Sequence, residues 1–151
     1  TEALLMFASR RDHVERTIRP ALAEGKVVLC DRFADSSVAY QGFGHGLGAE
    51  FIRNLWQIAI DGFKPDLTLI FDLPVEVGLE RAGARFANIS AAEDRFERMG
   101  TEFHQRLRNG FIEIARKNPE RCEIVDANGD IDLVCERMIS VVSTRLSGRG
   151  I

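Results

Sequence analysis

The stretch Val27-Val28-Leu29-Cys30-Asp31-Arg32-Phe33 decides the fold, and Ser36-Ser37 and Tyr40-Gln41-Gly42 follow it closely. Its four apolar residues, bounded by a glycine-lysine pair and a charged pair, predict a strand buried on both faces of a parallel sheet. Asp31 and Arg32 would then lie at the carboxyl end of the strand, where open α/β sheets bind ligands. Arg32 offers a planar fork of donors that suits a phosphate. The alternative is a solvated strand end that pairs with a carboxylate.

Length and composition indicate an ordinary globular protein. The 151 residues suffice for one domain with a core. The net charge of −3 does not create the positive electrostatic potential that would indicate binding to nucleic acid or to an anionic membrane. The three cysteines have no CxxC spacing, so we expect free, mostly buried thiols of a reducing compartment. No apolar run approaches the roughly 20 residues that span a bilayer. The excess of 17 arginines over 3 lysines fits either bidentate anion binding or genomic base composition.

Strands alternate with helices along the chain, which predicts an α/β fold with a parallel sheet in a single domain over residues 1–151. The predicted strands are 27–31, 67–71 and 123–126. The predicted helices are 2–22, a short piece around 36–41, Ala49 to Asp61, 75–85, 95–117 and 131–146. Residues 86–94 have little periodicity and predict a mobile lid loop.

The helix from Ala49 to Asp61 is apolar on two faces. Phe51, Leu55, Ile58 and Ala59 form one face, and Ile52, Trp56 and Ile60 form the other. One face could cover the sheet and the other a second copy of the chain, which predicts a homodimer through this helix. The alternative is a helix that is enclosed on both sides within one subunit.

Side chains near Arg32 could recognise a base and a sugar. Phe7 and Arg10 lie one turn apart on the first helix and can form a pocket by stacking and by a carbonyl contact, or they can be a core ring and a solvated cation. Ser37 could donate to a base or cap the short helix. Gln41 can pair with a pyrimidine edge. Tyr40 could lie in the core or pack on a sugar and exclude a 2′-hydroxyl.

Two arginines follow on the helix that leads into the predicted lid. Arg81 and Arg85 are four residues apart and would repel each other modestly, which a polyanionic ligand would offset. A lid arginine can stabilise charge on a transferring phosphoryl group. The alternative is a helix end where cations suit the dipole. The three histidines have no ligand spacing, so we predict no metal site made of them, and Gly25-Lys26 is not a P-loop.

Several segments together resemble bacterial thymidylate kinases. They run in order through nearly the whole chain: Thr1-Glu-Ala-Leu-Leu-Met-Phe-Ala-Ser-Arg10, Asp31-Arg-Phe33, Asp35-Ser-Ser37, Ala39-Tyr-Gln-Gly42, Pro65-Asp-Leu-Thr68, Glu76-Val-Gly-Leu79 and Glu93-Asp-Arg-Phe-Glu97. The resemblance implies a P-loop nucleoside-monophosphate-kinase-like fold, a parallel sheet flanked by helices. It also implies transfer of the γ-phosphoryl group of ATP to dTMP with Mg²⁺, by a cytoplasmic homodimer that makes DNA precursors.

The resemblance also implies residue roles. Arg32 resembles the arginine that holds the dTMP phosphate, and Asp31 belongs to the same signature; from the residues alone, Asp31 could orient Arg32, lie near a metal or form a structural ion pair. The resemblance further implies that Arg10 contacts the thymine carbonyl, that Ser37 and Gln41 bind the base edge, and that Tyr40 lies beneath the deoxyribose. It also implies that Arg85 is the catalytic lid arginine and that Arg81 and Asn128 lie beside the ATP adenine.

Two departures from the family pattern carry further expectations. The family's stacking phenylalanine lies four residues before the arginine, where this chain has Met6. Either Met6 covers the ring less well, or Phe7 reaches in by a rotation of the helix, and we expect Phe7. The family's P-loop and first two strands would precede Thr1, so we expect an incomplete piece of a kinase that is inactive by itself, unless another segment fills the gap. The alternatives are a non-catalytic nucleotide-binding or dimerising remnant and a kinase for another nucleoside monophosphate.

Overall fold

The first half of the structure is built on a long amino-terminal helix. The structure, a computed structural model, describes residues 1–86 and 99–147, and only the backbone at 84–86. It divides into two units, Thr1–Lys64 and Pro65–Ile151. The single domain expected over residues 1–151 stays a prediction, because such units are defined by contacts and not by independent folding.

The predicted helix over 2–22 is confirmed, with one irregularity. Helix α1 (Glu2–His13) continues through a π-turn (Val14–Ile18) into α2 (Arg19–Ala23). Pro20 lies at the start of α2, and because proline has no N–H the hydrogen-bond ladder shifts just before it. The helix ends at Gly25, whose φ of 73° suits glycine. Its N–H donates to the carbonyl of Leu22, and the next N–H donates to the carbonyl of Ala21, a Schellman ending.

The predicted strand over 27–31 is wrong for the described structure. These residues have no regular secondary structure, and the side chains of Val27 and Leu29 are 72% and 93% exposed. An apolar run becomes a strand only when a neighbouring backbone pairs with it, and the hydrophobic pattern cannot say whether that neighbour is there. Within the described residues, sheet pairing is confined to the second unit.

The rest of the first unit packs around α4 (Ala49–Ile60). Helix α3 (Ala34–Ser37) runs into a second π-turn (Val38–Gly44), which confirms a helical piece in the loop. The core combines α1, these turns and one face of α4, and its buried residues include Phe7, Val14, Ile18, Phe33, Val38, Ile52, Trp56 and Ile60. The other face of α4 remains exposed at Phe51 and Ile58, with Leu55 half-buried.

The second unit contains a parallel pair of strands, β1 (Thr68–Asp72) and β2 (Cys122–Asp126), in the register Thr68 with Cys122 through Asp72 with Asp126. The same unit contains three helices, α5 (Val75–Phe86), α6 (Thr101–Lys117) and α7 (Ile131–Ser147). This combination confirms an α/β class with a parallel sheet. Helix α6 begins at Thr101 with Gly100 as its N-cap residue, so residues 99 and 100 of the predicted helix over 95–117 are not helical, and residues 95–98 lie outside the described residues. Of the predicted lid over 86–94, residues 87–94 lie outside the described residues.

The structure bears out only part of what the sequence predicts for the cysteines. Cys30, Cys122 and Cys135 are free thiols as expected, but the expectation of burial is wrong for Cys30 and Cys135, which are exposed. An odd cysteine count indicates unpaired thiols, whereas burial depends on the face of the element on which each one lies. Across the described helices, none combines the length and apolar character needed to cross a membrane.

Candidate functional site

The first unit brings together the side chains of Arg10 and Ser37, two of the candidate site residues. The Nη1 of Arg10 donates to the Oγ of Ser37 over 2.9 Å, across 27 residues of sequence. The sulfur of Met6 accepts from the same hydroxyl at 3.7 Å. Ser37 is buried, while Met6 and Arg10 are half-buried. The hydroxyl therefore fixes the position of a guanidinium and a thioether that retain accessible surface.

The environment of Arg10 is electrostatically unusual for an arginine. Burial lowers the pKa of its guanidinium, and the nearby Cys30 thiol and Asp35 carboxyl oppose that effect. The guanidinium carbon also lies 5.1 Å from the centroid of the Phe7 ring, a cation–π contact. A partly desolvated cation of this kind binds an acceptor oxygen more strongly than a fully hydrated one does.

The structure argues against Phe7 as the ring that faces a ligand. Its side chain is 1% exposed and belongs to the core of the first unit, with one face under Arg10. Met6, one residue earlier, is half-buried and touches the hydroxyl that binds Arg10. On an ideal helix the two residues differ by about 100°, so only one of them can face the core squarely. Of the two side chains, Met6 is therefore the one that keeps accessible surface for contact with a ligand.

Gln41 is held by a residue that the sequence analysis did not identify. The Nε2 of Gln41 donates to the Oε1 of Glu2 over 2.9 Å. Gln41 is 3% exposed, and its Oε1 is buried without a hydrogen-bond partner among the described residues. The spacing of Glu2 and Met6, four residues apart on α1, could have indicated that both face the same neighbour.

Arg32 lies at the surface with its guanidinium carbon 5.4 Å from the centroid of the Tyr40 ring. Its backbone is left-handed, with φ of 63°, which is uncommon for a residue other than glycine and is often found at functional sites. Asp31 and Arg32 are both exposed. The expected place of Arg32 at the end of a strand is not found, since residues 27–31 form no strand, but the guanidinium remains open to an anion.

In the second unit, Arg81 contacts the turn that contains Asn128. The Nη1 of Arg81 donates to the carbonyl of Ala127 over 3.0 Å, and its Nη2 donates to the carbonyl of Gly129 over 2.9 Å. Asn128 lies between those two residues and is exposed. Arg85 lies in the last turn of α5, but its side chain is outside the described residues, so its expected role stays a prediction.

An ion pair that the sequence analysis missed lies at the carboxyl end of β1. Arg108 of α6 donates through Nε and Nη2 to the two carboxylate oxygens of Asp72, over 2.7 and 2.9 Å. The hydrogen bonds from Arg108 lower the pKa of Asp72, against a smaller opposing effect of burial. The two residues are 36 apart in sequence, and no local pattern links them.

The chain is similar in sequence to known proteins along nearly its whole length. A family model described as thymidylate kinase matches residues 1–138. The chain belongs to the thymidylate kinase family. It is 53% identical over 146 residues to the thymidylate kinase of Caulobacter vibrioides, covering 97% of this chain and 68% of that protein. It is 49% identical over 144 residues to the thymidylate kinase of Desulfosudis oleivorans, covering 94% and 67%.

The fold agrees with this membership. The crystal structure of thymidylate kinase from Ehrlichia chaffeensis matches with a TM-score of 0.70 and 33% identity, over 93% of this chain and 65% of that one. The chain thus spans about two thirds of the length of the thymidylate kinases it matches. The predicted family and fold class are confirmed.

Proposed function

We propose that this protein transfers the γ-phosphoryl group of ATP to dTMP. An oxygen of the dTMP phosphate would attack the γ-phosphorus, the bond to the β-phosphate oxygen would break, and dTDP and ADP would result. The observation that carries the proposal is the cluster of Met6, Arg10 and Ser37 in the first unit, together with Arg32 over Tyr40. These contacts join segments that are separated in sequence and supply an accessible cation for a base carbonyl and another for a phosphate.

Five side chains of the first unit have a role in this proposal. Arg32 would bind the dTMP phosphate with its fork of donors, and Tyr40, which lies under that guanidinium, would pack on the deoxyribose. Arg10 would donate to a thymine carbonyl. Met6 would cover the base, because its polarisable thioether suits contact with a ring face. Ser37, being buried, would act through Arg10.

ATP would meet residues of the second unit. Arg81 and Asn128 would lie beside the adenine, and Arg85 would stabilise charge on the transferring group. No three His, Cys, Asp or Glu side chains gather as a metal site within residues 1–86 and 99–147. Mg²⁺ usually takes one or two carboxylates and the substrate phosphates, so the exposed Asp31 fits the part of a single protein ligand. The ion would neutralise phosphate charge.

The test is phosphoryl transfer by the protein as its gene encodes it. With ATP and Mg²⁺ present, ADP release should depend on dTMP and should be weaker with dUMP, CMP and AMP. Arg32→Ala should lower kcat/KM for dTMP by about 100-fold, since a charge-assisted bidentate bond to phosphate is lost. Arg16→Ala is a matched control, because Arg16 is 80% exposed and pairs only with Asp12 among the described residues. Near-normal turnover of the Arg32 variant would contradict the assignment.

We further propose that the protein is a homodimer that works in the cytoplasm. The outer face of α4 supports a dimer, because Phe51 and Ile58 are 57% and 79% exposed beside the half-buried Leu55. A contiguous apolar face of this kind is typical of an interface between copies. A monomer in sedimentation at micromolar concentration would reject the dimer.

A further inference from the structure

The turn that follows β2, residues 126–129, is held from two sides by arginines of different helices. Arg81 of α5 donates to the carbonyls of Ala127 and Gly129. Arg137 of α7 donates through Nη1 to the carbonyls of Asp126 and Asn128, over 2.9 Å each. The two guanidinium groups therefore take alternate carbonyls along four consecutive residues.

The turn has further restraints at its start. Arg137 also forms an ion pair with the Oδ2 of Asp126 at 2.9 Å. The N–H of Ala127 donates to the carbonyl of Asp72 over 2.8 Å and thereby extends the ladder between the strands. The N–H of Asn128 donates to the Oδ1 of Asp126 over 2.9 Å, which closes an Asx turn. With its backbone fixed in this way, the turn presents the exposed side chain of Asn128 in one direction.

We propose that Arg137 is a positioning residue for the purine of ATP. The inference rests on the proposed function, in which the 126–129 turn lies beside the adenine. Arg81 uses one N–H of each terminal nitrogen on the turn, which fixes the plane of its guanidinium, so the flat face of that group can stack on a purine. That face is held in place only as long as the turn is held, and Arg137 provides the opposite half of the restraint. Arg137 acts through the backbone of the turn and through Arg81, without touching the nucleotide.

A lysine could not replace Arg137 fully. The Nη1 of Arg137 has two N–H groups for the two carbonyls and lies 2.9 Å from the Asp126 carboxylate, and it belongs to a planar group. A lysine ammonium is a flexible point charge and would keep the ion pair while losing the defined geometry. The expected order of turn rigidity is therefore wild type, then Arg137→Lys, then Arg137→Ala.

Helix α7 offers a matched control. Arg145 lies eight residues after Arg137 on the same helix and makes the same kinds of contact at the other end of β2. It donates to the carbonyl of Pro119 and forms an ion pair with Glu123 at 2.7 Å. Arg145→Ala removes a comparable restraint on β2 that does not involve the turn.

The experiment compares steady-state kinetics of the gene-encoded protein with hydrogen exchange of the amides of residues 128–130. Arg137→Ala should raise KM for ATP about 5- to 10-fold, which is the change expected when one or two hydrogen bonds are lost. Its kcat and its KM for dTMP should stay within about twofold of the wild-type values. Exchange in the turn should accelerate. Arg137→Lys should give an intermediate KM for ATP and carries the test if the alanine variant folds poorly. Arg145→Ala should leave both KM values unchanged.

The outcomes separate the two proposals. If the wild-type protein phosphorylates dTMP and the Arg137 variants keep the wild-type KM for ATP, the positioning role is refuted and the proposed function stands. The positioning role is also refuted if Arg145→Ala raises KM for ATP as much as Arg137→Ala does, because the effect would then be general loosening. If the wild-type protein does not consume ATP in the presence of dTMP, both proposals fall.

Discussion

Replacement of Arg32 by glycine and by alanine separates the function of this residue from the cost of its backbone. With φ of 63°, Arg32 occupies a region that costs an L-residue roughly 1–2 kcal/mol, a cost that glycine does not have. Glycine also gives the unfolded chain more freedom, which offsets about 0.4–1 kcal/mol of that relief. Both variants lose the cation–π contact with Tyr40, worth about 0.5–1 kcal/mol at an exposed position.

Together, these contributions predict the free energies of unfolding of the two Arg32 variants. Arg32→Gly should match the wild-type free energy of unfolding within about 0.5 kcal/mol, since relief and losses nearly cancel. Arg32→Ala keeps the left-handed strain and loses the ring contact, so it should be less stable than the glycine variant by about 0.8 kcal/mol. With a urea slope of about 2 kcal/mol/M for a chain of this size, the midpoints should differ by about 0.4 M. Both variants should lose the same activity, about 100-fold in kcat/KM for dTMP.

The assay is urea unfolding followed by fluorescence, with ADP release measured on the same preparations. Arg16 supplies the reverse control, because it lies in the right-handed π-turn of the first helix and its side chain is exposed. There the glycine variant should be the less stable one, by about 1 kcal/mol. Equal midpoints for the two Arg32 variants would refute the argument that backbone strain is stored at this residue. An Arg32→Gly variant that keeps wild-type activity would refute phosphate binding.

Three further outcomes are expected. Hydrogen bonds from Arg108 hold the folded pKa of Asp72 below its unfolded value of about 3.9. The contribution of Asp72 to stability is therefore present above that pH and is lost as the pH falls through the folded pKa. In thermal unfolding between pH 3 and 6, the melting temperature of Asp72→Asn should converge on that of wild type at the acid end. Ser37→Ala should raise KM for dTMP about tenfold by releasing Arg10, and an unchanged KM would refute the positioning role of that hydroxyl. Ile58→Asp should give a monomer in sedimentation, whereas the exposed neighbour variant Asn54→Asp should remain dimeric.

Much of the fold was predictable because its signals are local. The 3.6-residue period located the first helix, α4, α5 and α7 to within one or two residues, and short apolar runs located β1 and β2. The run over 27–31 carried the same signal and failed, since a strand needs a partner that no window of sequence contains. The glycine at the N-cap of α6, and not the periodicity, sets Thr101 as the first residue of that helix.

The site was predictable in residue type more than in role. Arg10 and Ser37 are hydrogen-bonded across 27 residues of sequence, whereas the orientation of Met6 and Phe7 depends on how α1 packs, and the burial of Phe7 argues against the role expected of its ring. Glu2, Arg108 and Arg137 were missed because each contacts another element through a single side chain.

The arginine excess of the chain has a structural use that composition alone could not establish. Arg108 binds both oxygens of Asp72, while Arg81 and Arg137 each reach two carbonyls of one turn. Arg81 and Arg108 each use two nitrogens of one planar group, an arrangement that a lysine, with a single charged centre, cannot reproduce. Genomic base composition can supply arginine codons, but it does not place the resulting side chains where their fork geometry is used. Near the candidate nucleotide-binding turn, arginine is therefore part of how the backbone is shaped as well as a source of positive charge.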